Sequence, residues 1–437
     1  MNKSGDALSK SPMNWGSYNC HDPSIFKASS GTYYIFSTDT KSHSNTHTFP
    51  GGCQIRTSED LVQWTWKGTA LDGVPSEAYA WTSAQGLWAP EVAFWDNVYH
   101  LYYSASQFGK NQSFIGLATS NSIEGPWEEQ GVVVKTKNGV SAPNAIDANI
   151  VFDKQEEPYL CYGSFFGGIY LKKLDRQTGK PLSEGDGSCI AKRDNITREG
   201  AVEGPYIYYH SQHDYYYLFV SYDSLFTNYH IRVGRARSIE GPYFDSKGFM
   251  MTNDSVEVAD EVGEKILSGY CFSDETGWMA PGHNSILDDG EQTFLVHHAR
   301  ELNEKDLFSL HIRELKWLSD GWPVVAIERY KRIPDDDMSL SPVGMYEGFL
   351  FGNAYNGIHQ SVILNRESIN ALTIDEEPFE LVGKNEENQL YRSLLNNENT
   401  MECIEFKGWD WELQQPTWLI SGRLSNKTSF SFKKRVN

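Results

Sequence analysis

A chain of 437 residues with a formal net charge of −20 is long enough to bury a real hydrophobic core without disulfide or metal staples. Its acidic surface argues against nucleic-acid and anionic-membrane partners, which reward basic clusters that this sequence lacks. No apolar stretch nears the roughly 18 residues of a transmembrane helix, and the six cysteines (Cys20, Cys53, Cys161, Cys189, Cys271, Cys403) show neither C-x-x-C nor zinc spacing.

The opening MNKSGDALSKSPMNWGSYN is polar and has no apolar signal region. The expectation is a monomer with free buried thiols, cytoplasmic if the chain is complete, with a secreted mature form as the alternative. Aromatic residues make up 14% of the chain, and its apolar runs are short and bounded by turn residues, which predicts an all-β fold.

Five segments then share one layout, in which a short apolar strand and a turn lead to an aromatic-rich strand ending in small or polar residues. They are HDPSIFKASSGTYYIFST from His21, WAPEVAFWDNVYHLYYSAS from Trp88, IDANIVFDKQEEPYLCYGS from Ile146, EGPYIYYHSQHDYYYLFVSY from Glu203 and PGHNSILDDGEQTFLVHHA from Pro281. Each reads as a β-hairpin, with turns at Ser30–Gly31, Asp96–Asn97, Gln155–Glu157, Gln212–Asp214 and Asp288–Gly290. The hairpins begin about 56 to 80 residues apart, room for two further strands each, as in GCQIRTSEDLVQWTWKG and HIRVGRARSIEGPYFDSKGF. Five four-stranded units predict a five-bladed β-propeller over residues 1–342, with a many-hairpin sandwich as the alternative. Beyond Pro342 the pattern changes, and residues 343–437 read as a smaller C-terminal β-barrel or sandwich domain.

The string Glu-Gly-Pro-aromatic occurs three times, beginning at Glu124, Glu203 and Glu240. Glu124 and Glu240 each follow Ser-Ile and a strand, so turn chemistry accounts for them. Glu203 instead precedes the first strand of its unit. Aligning the five hairpins places Asp22, Trp88, Asp147, Glu203 and the Gly282–His283 pair at nearly equivalent positions, where a propeller's innermost strands meet one mouth of the channel. Singly, each has a structural explanation: a turn before Pro23, a local cap, a core histidine. Jointly, three carboxylates in one pocket suit acid–base chemistry on a glycosidic bond. The roles expected are Glu203 as general acid, Asp22 as general base on water, and Asp147 as the group that raises the acid's pKa and orients it.

The motifs HDPSIFK, LWAPEV, NAIDANIVFD, YGSFFGGIYL, EGPYIYY, PGHNS and LHIRELKWLSDGWPVVAIERY together resemble the endo-1,5-α-L-arabinanases of glycoside hydrolase family 43, in their longer form with a C-terminal β domain. The resemblance implies hydrolysis of internal bonds of arabinan with inversion, for which base and acid should stand about 6.5 to 9.5 Å apart. It also implies a calcium ion in the channel held by His283, a ligand that calcium's preference for oxygen does not itself suggest. Substrate contacts are implied at Asp22, Phe108, Gly109, Asn144, Ala145, Ile146, Asp147, Ser164, Phe165 and Phe166. Trp88 joins them by its place at the mouth, and for Phe165 and Phe166 a core role stays open. The family usually has proline after the modulator aspartate, where this chain has Ala148. Two readings compete: an exo-acting α-L-arabinofuranosidase or β-xylosidase on the same propeller, and a non-catalytic carbohydrate-binding propeller.

Overall fold

The computed structural model describes residues 3–334, 341–385, 387–396 and 398–435. Five antiparallel sheets stand around a channel, and the five predicted turns each join a blade's first two strands. Blade one comprises Ser24–Lys27, Tyr33–Ser37, Gln54–Ser58 and Thr65–Thr69, and blade two Trp88–Trp95, Val98–Ala105, Phe114–Ser120 and Glu128–Lys135. Blade three comprises Asn149–Phe152, Pro158–Tyr162, Ile169–Lys173 and Ser188–Ala191, and blade four Val202–His210, Tyr215–Tyr222, His230–Ala236 and Glu264–Leu267. Blade five is built on Gly277–Asp288, Thr293–Glu301, Phe308–Trp317 and Pro323–Val325.

Central strands are apolar on both faces because each blade packs between two others. Leu101, Ile115, Leu117 and Leu218 are fully buried in this way, each such side chain contributing ~1.5–3 kcal/mol. The ring closes where the N-terminal segment meets blade five: Leu310 N–H donates to the Ser17 carbonyl at 2.8 Å, and Asn19 N–H to that of Phe308 at 3.1 Å. One strand differs from expectation. The segment after Glu240 makes only isolated bridges at Phe244, because the Asp245 carboxylate accepts the N–H groups of Lys247 and Phe249 and curls the chain into a turn. Glu264–Leu267 takes the outer place instead.

Past the propeller, eight strands close into a barrel: Gly344–Phe351, Val362–Arg366, Ala371–Ile374, Glu377–Asn385, Asn388–Ser393, Thr400–Asp410, Gln415–Leu424 and Ser429–Lys434. Of the two forms expected, it is the barrel, which leaves no sheet edge open. Tyr346, Leu364, Tyr391, Phe430 and Phe432 fill its interior. Within the connection between its first two strands, His359–Gln360 pairs parallel with Tyr270–Cys271 on the edge of blade five. All six cysteines are free, four of them buried.

Propeller and barrel are tied by a buried charge cluster. The Lys433 ammonium, fully buried, lies 2.7 Å from Glu328, 2.6 Å from Glu412 and 3.5 Å from Asp410. One cation cannot neutralise three carboxylates, and burial together with its acidic neighbours pushes Glu328 up to about 7 despite the lysine. Removing the cation leaves buried acids without a partner, so Lys433→Met is expected to lower unfolding stability by about 3–5 kcal/mol in urea titrations. An unchanged midpoint would show that these acids need no cation.

Candidate active site

The inner strands enter their blades by one repeated device. Asp22, Ala89, Asp147, Gly204 and His283 occupy matching positions, and all are left-handed, with φ of 53°, 38°, 59°, 56° and 47°. Just after them the pairing slips by a bulge in blades two, four and five. A bulge with a left-handed residue turns a side chain out of the sheet, here toward the channel. Glu203 sits one residue before this position, and Trp88 does likewise. Gly204 is required where it is, since a Cβ there would lie 3.0 Å from the His283 ring and the backbone is left-handed.

The amide of each left-handed residue donates to an acceptor supplied by the preceding blade, forming a ring around the mouth. Ala89 N–H meets Thr38 Oγ1 at 2.8 Å, Asp147 N–H meets Ser104 Oγ at 3.1 Å, and His283 N–H meets Ser221 Oγ at 2.8 Å. Asp22 N–H meets His298 Nδ1 at 3.2 Å. Blade three has Gly163 at the corresponding strand end, and the Asp147 carboxylate itself accepts Gly204 N–H at 3.1 Å.

Asp22, Asp147, Glu203 and His283 converge there. His283 Nδ1 is 3.2 Å from Asp22 Oδ1 and 4.0 Å from Asp147 Oδ2. Asp22 also receives Thr38 Oγ1 at 2.6 Å and His21 Nδ1 at 2.8 Å. Burial opposes its ionisation, but His21, His283 and His298 around it hold its carboxyl well below the usual range. Burial pushes His283 and His298 down, so near neutral pH they act on Asp22 as hydrogen-bonding dipoles rather than full charges. Burial, then the charges of Glu203 and Asp22, push Asp147 far up. Glu203 rises to about 7 through burial, against hydrogen bonds from Ser164 and Tyr229. The Ser164 hydroxyl donates to Oε2 at 2.9 Å, and Oε1 is buried without a partner. Asp147 and Glu203, both raised, therefore titrate as a pair beside an ionised Asp22.

Of the other expected positions, Trp88 is half-buried at the mouth and Phe108 is 73% exposed on the loop that also carries Gly109. Asn144 is buried and accepts from Ser113 Oγ at 2.6 Å, while Ala145 and Ile146 are buried in the approach to Asp147. Phe165 and Phe166 lie outside the hydrophobic core, both left-handed at φ 53° and 47°, with Phe166 41% exposed. Two adjacent bulky residues in that conformation are strained, which suits a ligand-facing turn better than packing. Glu124 and Glu240 are exposed in turns away from the mouth. Sequence reasoning missed Tyr229, His21, His298 and Thr38, although the polar ends of the second strands were visible. It also missed Glu91, a fully buried acid pushed up to about 7 by burial, which bonds to Ser24 and Asn149.

Among the described residues, two acid or histidine groups could hold a cation: His21, Asp22 and His298, and Glu328, Asp410 and Glu412. The second already encloses the Lys433 ammonium. In the first, His298 Nδ1 is engaged in accepting Asp22 N–H. His283 belongs to neither.

A five-bladed propeller with differently ionised carboxylates converging at one mouth defines a glycosidase-type enzyme. The chain belongs to glycosyl hydrolases family 43, whose model matches residues 15–323. It is 31% identical to an extracellular endo-α-(1→5)-L-arabinanase of Thermotoga petrophila, over 93% of this chain and 91% of that one. A crystal structure of endo-1,5-α-L-arabinanase from Thermotoga petrophila superposes with a TM-score of 0.81 at 28% identity, covering 96% of this chain and 99% of that one. An extracellular exo-α-(1→5)-L-arabinofuranosidase of Cellvibrio japonicus is 31% identical over 70% of this chain and 86% of its own length.

These relatives, and one from Bacillus subtilis at 35% identity over 71% of this chain and 89% of its own, are extracellular enzymes by name. That overturns the expectation of a cytoplasmic protein, which rested only on a polar opening segment and unpaired cysteines. Buried thiols shielded from solvent are compatible with either compartment. Among the described residues no helix is long and apolar enough to cross a membrane.

The Ser164 hydroxyl stabilises the ionised form of Glu203, so removing it should raise that group's pKa. In a carboxyl-carbon NMR titration, Glu203 is expected to titrate near 7 and to move up by about one pH unit in Ser164→Ala. A Glu203 that titrates near its ordinary value would contradict this account of the site.

Proposed function

We propose that the protein hydrolyses internal α-1,5-L-arabinofuranosidic bonds of arabinan with inversion, with residues 1–342 as the catalytic domain and 343–437 as the C-terminal domain. The observation that carries this reading is the convergence of three carboxylates with unlike surroundings: Asp22 lies against His21 and His283, which favour its ionised form, while burial raises Glu203 to about 7. A protonated Glu203 can give its proton to the leaving glycosidic oxygen. An ionised Asp22 can take one from the water that attacks the anomeric carbon. Asp147 accepts the amide that follows Glu203 and so orients the acid; as modulator it would raise the acid's affinity for its proton by like charge in the state where Asp147 itself is ionised.

Endo action is supported by the Thermotoga petrophila relative, whose likeness includes the C-terminal region. Two further cavities lie on the blades, neither of them lined by the convergent carboxylates. One cavity of about 330 Å³ is lined by Asp39, His47, Phe49 and Gln85 at blades one and two, and another of about 120 Å³ by Phe166, Lys192 and Asn195 at blades three and four. Trp88, Phe108, Gly109, Asn144, Ala145, Ile146, Ser164, Phe165 and Phe166 would line the substrate path.

His283 fits a partly hydrated calcium. Its Nδ1 faces Asp22, so its neutral ring keeps a proton there and leaves the Nε2 lone pair free. Asn284, next in the chain, is buried with neither amide atom partnered, which suits an ordered shell of water. When bound, the ion would supply a fixed positive charge beside Asp22 that favours its ionised form.

Glu203→Ala is expected to cut kcat on arabinan by about 10³-fold, whereas Glu124→Ala and Glu240→Ala should stay near wild type. For the wild type, kcat/KM should fall as pH rises through about 7, where Glu203 gives up its proton. Linear arabinan should yield mixed short oligomers early in the digest. Release of monomer alone would favour exo action, and an active Glu203→Ala would refute the assignment. Elemental analysis should find about one calcium per chain, lost in His283→Ala together with the thermal stabilisation that calcium gives the wild type; metal-free protein indifferent to chelation would remove the ion from the scheme.

A further inference from the structure

Two exposed phenylalanines meet where no packing requirement brings them. Phe108 stands on the 106–113 loop after the second strand of blade two, and Phe226 on the 223–229 loop after the second strand of blade four. Their ring centroids are 6.0 Å apart with planes at 58°. Blade three lies between these blades, so loops from two and four can touch only by reaching across the mouth, over the turn that carries Ser164, Phe165 and Phe166. The rings remain 73% and 47% exposed, so their contact removes little apolar surface from water and does little for stability.

Both loops are nonetheless anchored. Arg300 Nε donates to the Leu225 carbonyl at 2.9 Å, with its guanidinium 5.3 Å from the Phe226 ring centre. The Gln107 amide donates to the Thr82 carbonyl at 2.7 Å, and Asn111 N–H to Asn138 Oδ1 at 2.7 Å. At the end of the 223–229 loop, Tyr229 is buried close enough to Glu203 to lower its pKa. The pair is thus held over the end of the site that carries the acid.

We infer that Phe226, together with Phe108, forms an aromatic bridge over the mouth that grips an unbranched arabinofuranosyl chain and disfavours a branched one. This rests on the function proposed above. An exposed aromatic ring offers a face to the C–H face of a sugar at low entropic cost, and a sugar strand passing along the mouth would run against the two rings. Branch residues projecting toward the bridge would meet its rings or force the loops apart, a steric device of selection rather than an attractive one. Phe226 is therefore a specificity-determining residue that no sequence motif marks.

The test compares wild type, Phe226→Ala, Phe226→Tyr, Phe108→Ala and the double alanine variant on linear and on branched arabinan. Phe226→Ala is expected to raise KM on linear arabinan roughly tenfold, with the effect lying mainly in KM, and to narrow the preference for linear over branched polymer. Phe226→Tyr should restore both. The double variant should be little worse than either single one, because the two rings act as a unit. Unchanged KM and unchanged preference in Phe226→Ala would overturn the bridge while leaving the function standing. An equal loss of kcat on both polymers with a displaced pH profile would also overturn it, by showing that the loop serves only to place Tyr229 and Glu203. Wild type inactive on both polymers would overturn the inference together with the function beneath it.

Discussion

Five amide hydrogen bonds around the channel mouth set the geometry on which the site depends. Each blade's inner strand enters through a left-handed residue whose N–H points away from its own sheet and must find an acceptor elsewhere. A buried amide left without one costs about 1–3 kcal/mol, so each blade fixes the entrance of the next. Thr38, Ser104, Ser221 and His298 serve four of these junctions. At the fifth, blade three offers Gly163, where a Cβ would lie 2.3 Å from the Gly168 carbonyl oxygen. No side chain fits there, and Asp147 takes the amide instead. One carboxylate therefore closes the ring structurally and sits against the acid chemically.

The same arrangement separates the ionisation of groups that share one cavity. The Asp22 carboxylate faces His21, His283 and the Thr38 hydroxyl as donors, while His298 accepts its amide. Asp147 and Glu203 face each other with fewer donors, and burial dominates both. Carboxyl groups of similar intrinsic acidity are driven apart by what their blades present to them, which is the condition for assigning one as base and another as acid. Glu91 shows that burial alone does not make a catalyst. It is equally enclosed, but its oxygens are taken by Ser24, Asn149 and the Ile150 amide. Glu203 keeps Oε1 without a partner.

The propeller was legible because hairpin turns and small strand ends recur at regular spacing, and all five expected turns lie between the paired strands. The convergence of Asp22, Asp147, Glu203 and His283 was legible for the same reason, since register within a repeat survives without knowledge of packing. The one-residue offset of Glu203 was less visible: it depends on a bulge, and a bulge is a backbone event that Glu-Gly-Pro signals only weakly. Tyr229, His21 and the hydroxyl acceptors were hidden because their roles arise between blades, across dozens of residues of sequence. Phe226 was hidden for a further reason, as its partner comes from a blade two places away. The outer strand of blade four was misplaced because Asp245 captures nearby amides that a strand would have used.

The barrel is not remote from this chemistry. Arg232 and Lys265, both buried in blade four, donate to the Asn353 carbonyl and to Asn356 Oδ1 on the loop between the barrel's first strands. Asn356 in turn donates to Asp260, which also binds Arg193 and Arg198. Those arginines belong to the segment that leads directly into Glu203. Arg198 holds Asp260 down to about 2, so this hub stays charged wherever the enzyme would work. Burial pushes Lys265 down to about 6, yet four acceptors of the barrel loop surround its nitrogen. Docking the barrel thus satisfies a lysine that the propeller alone leaves buried with too few acceptors, and the strand that starts with the acid inherits its position partly from a domain that contributes no group to the mouth.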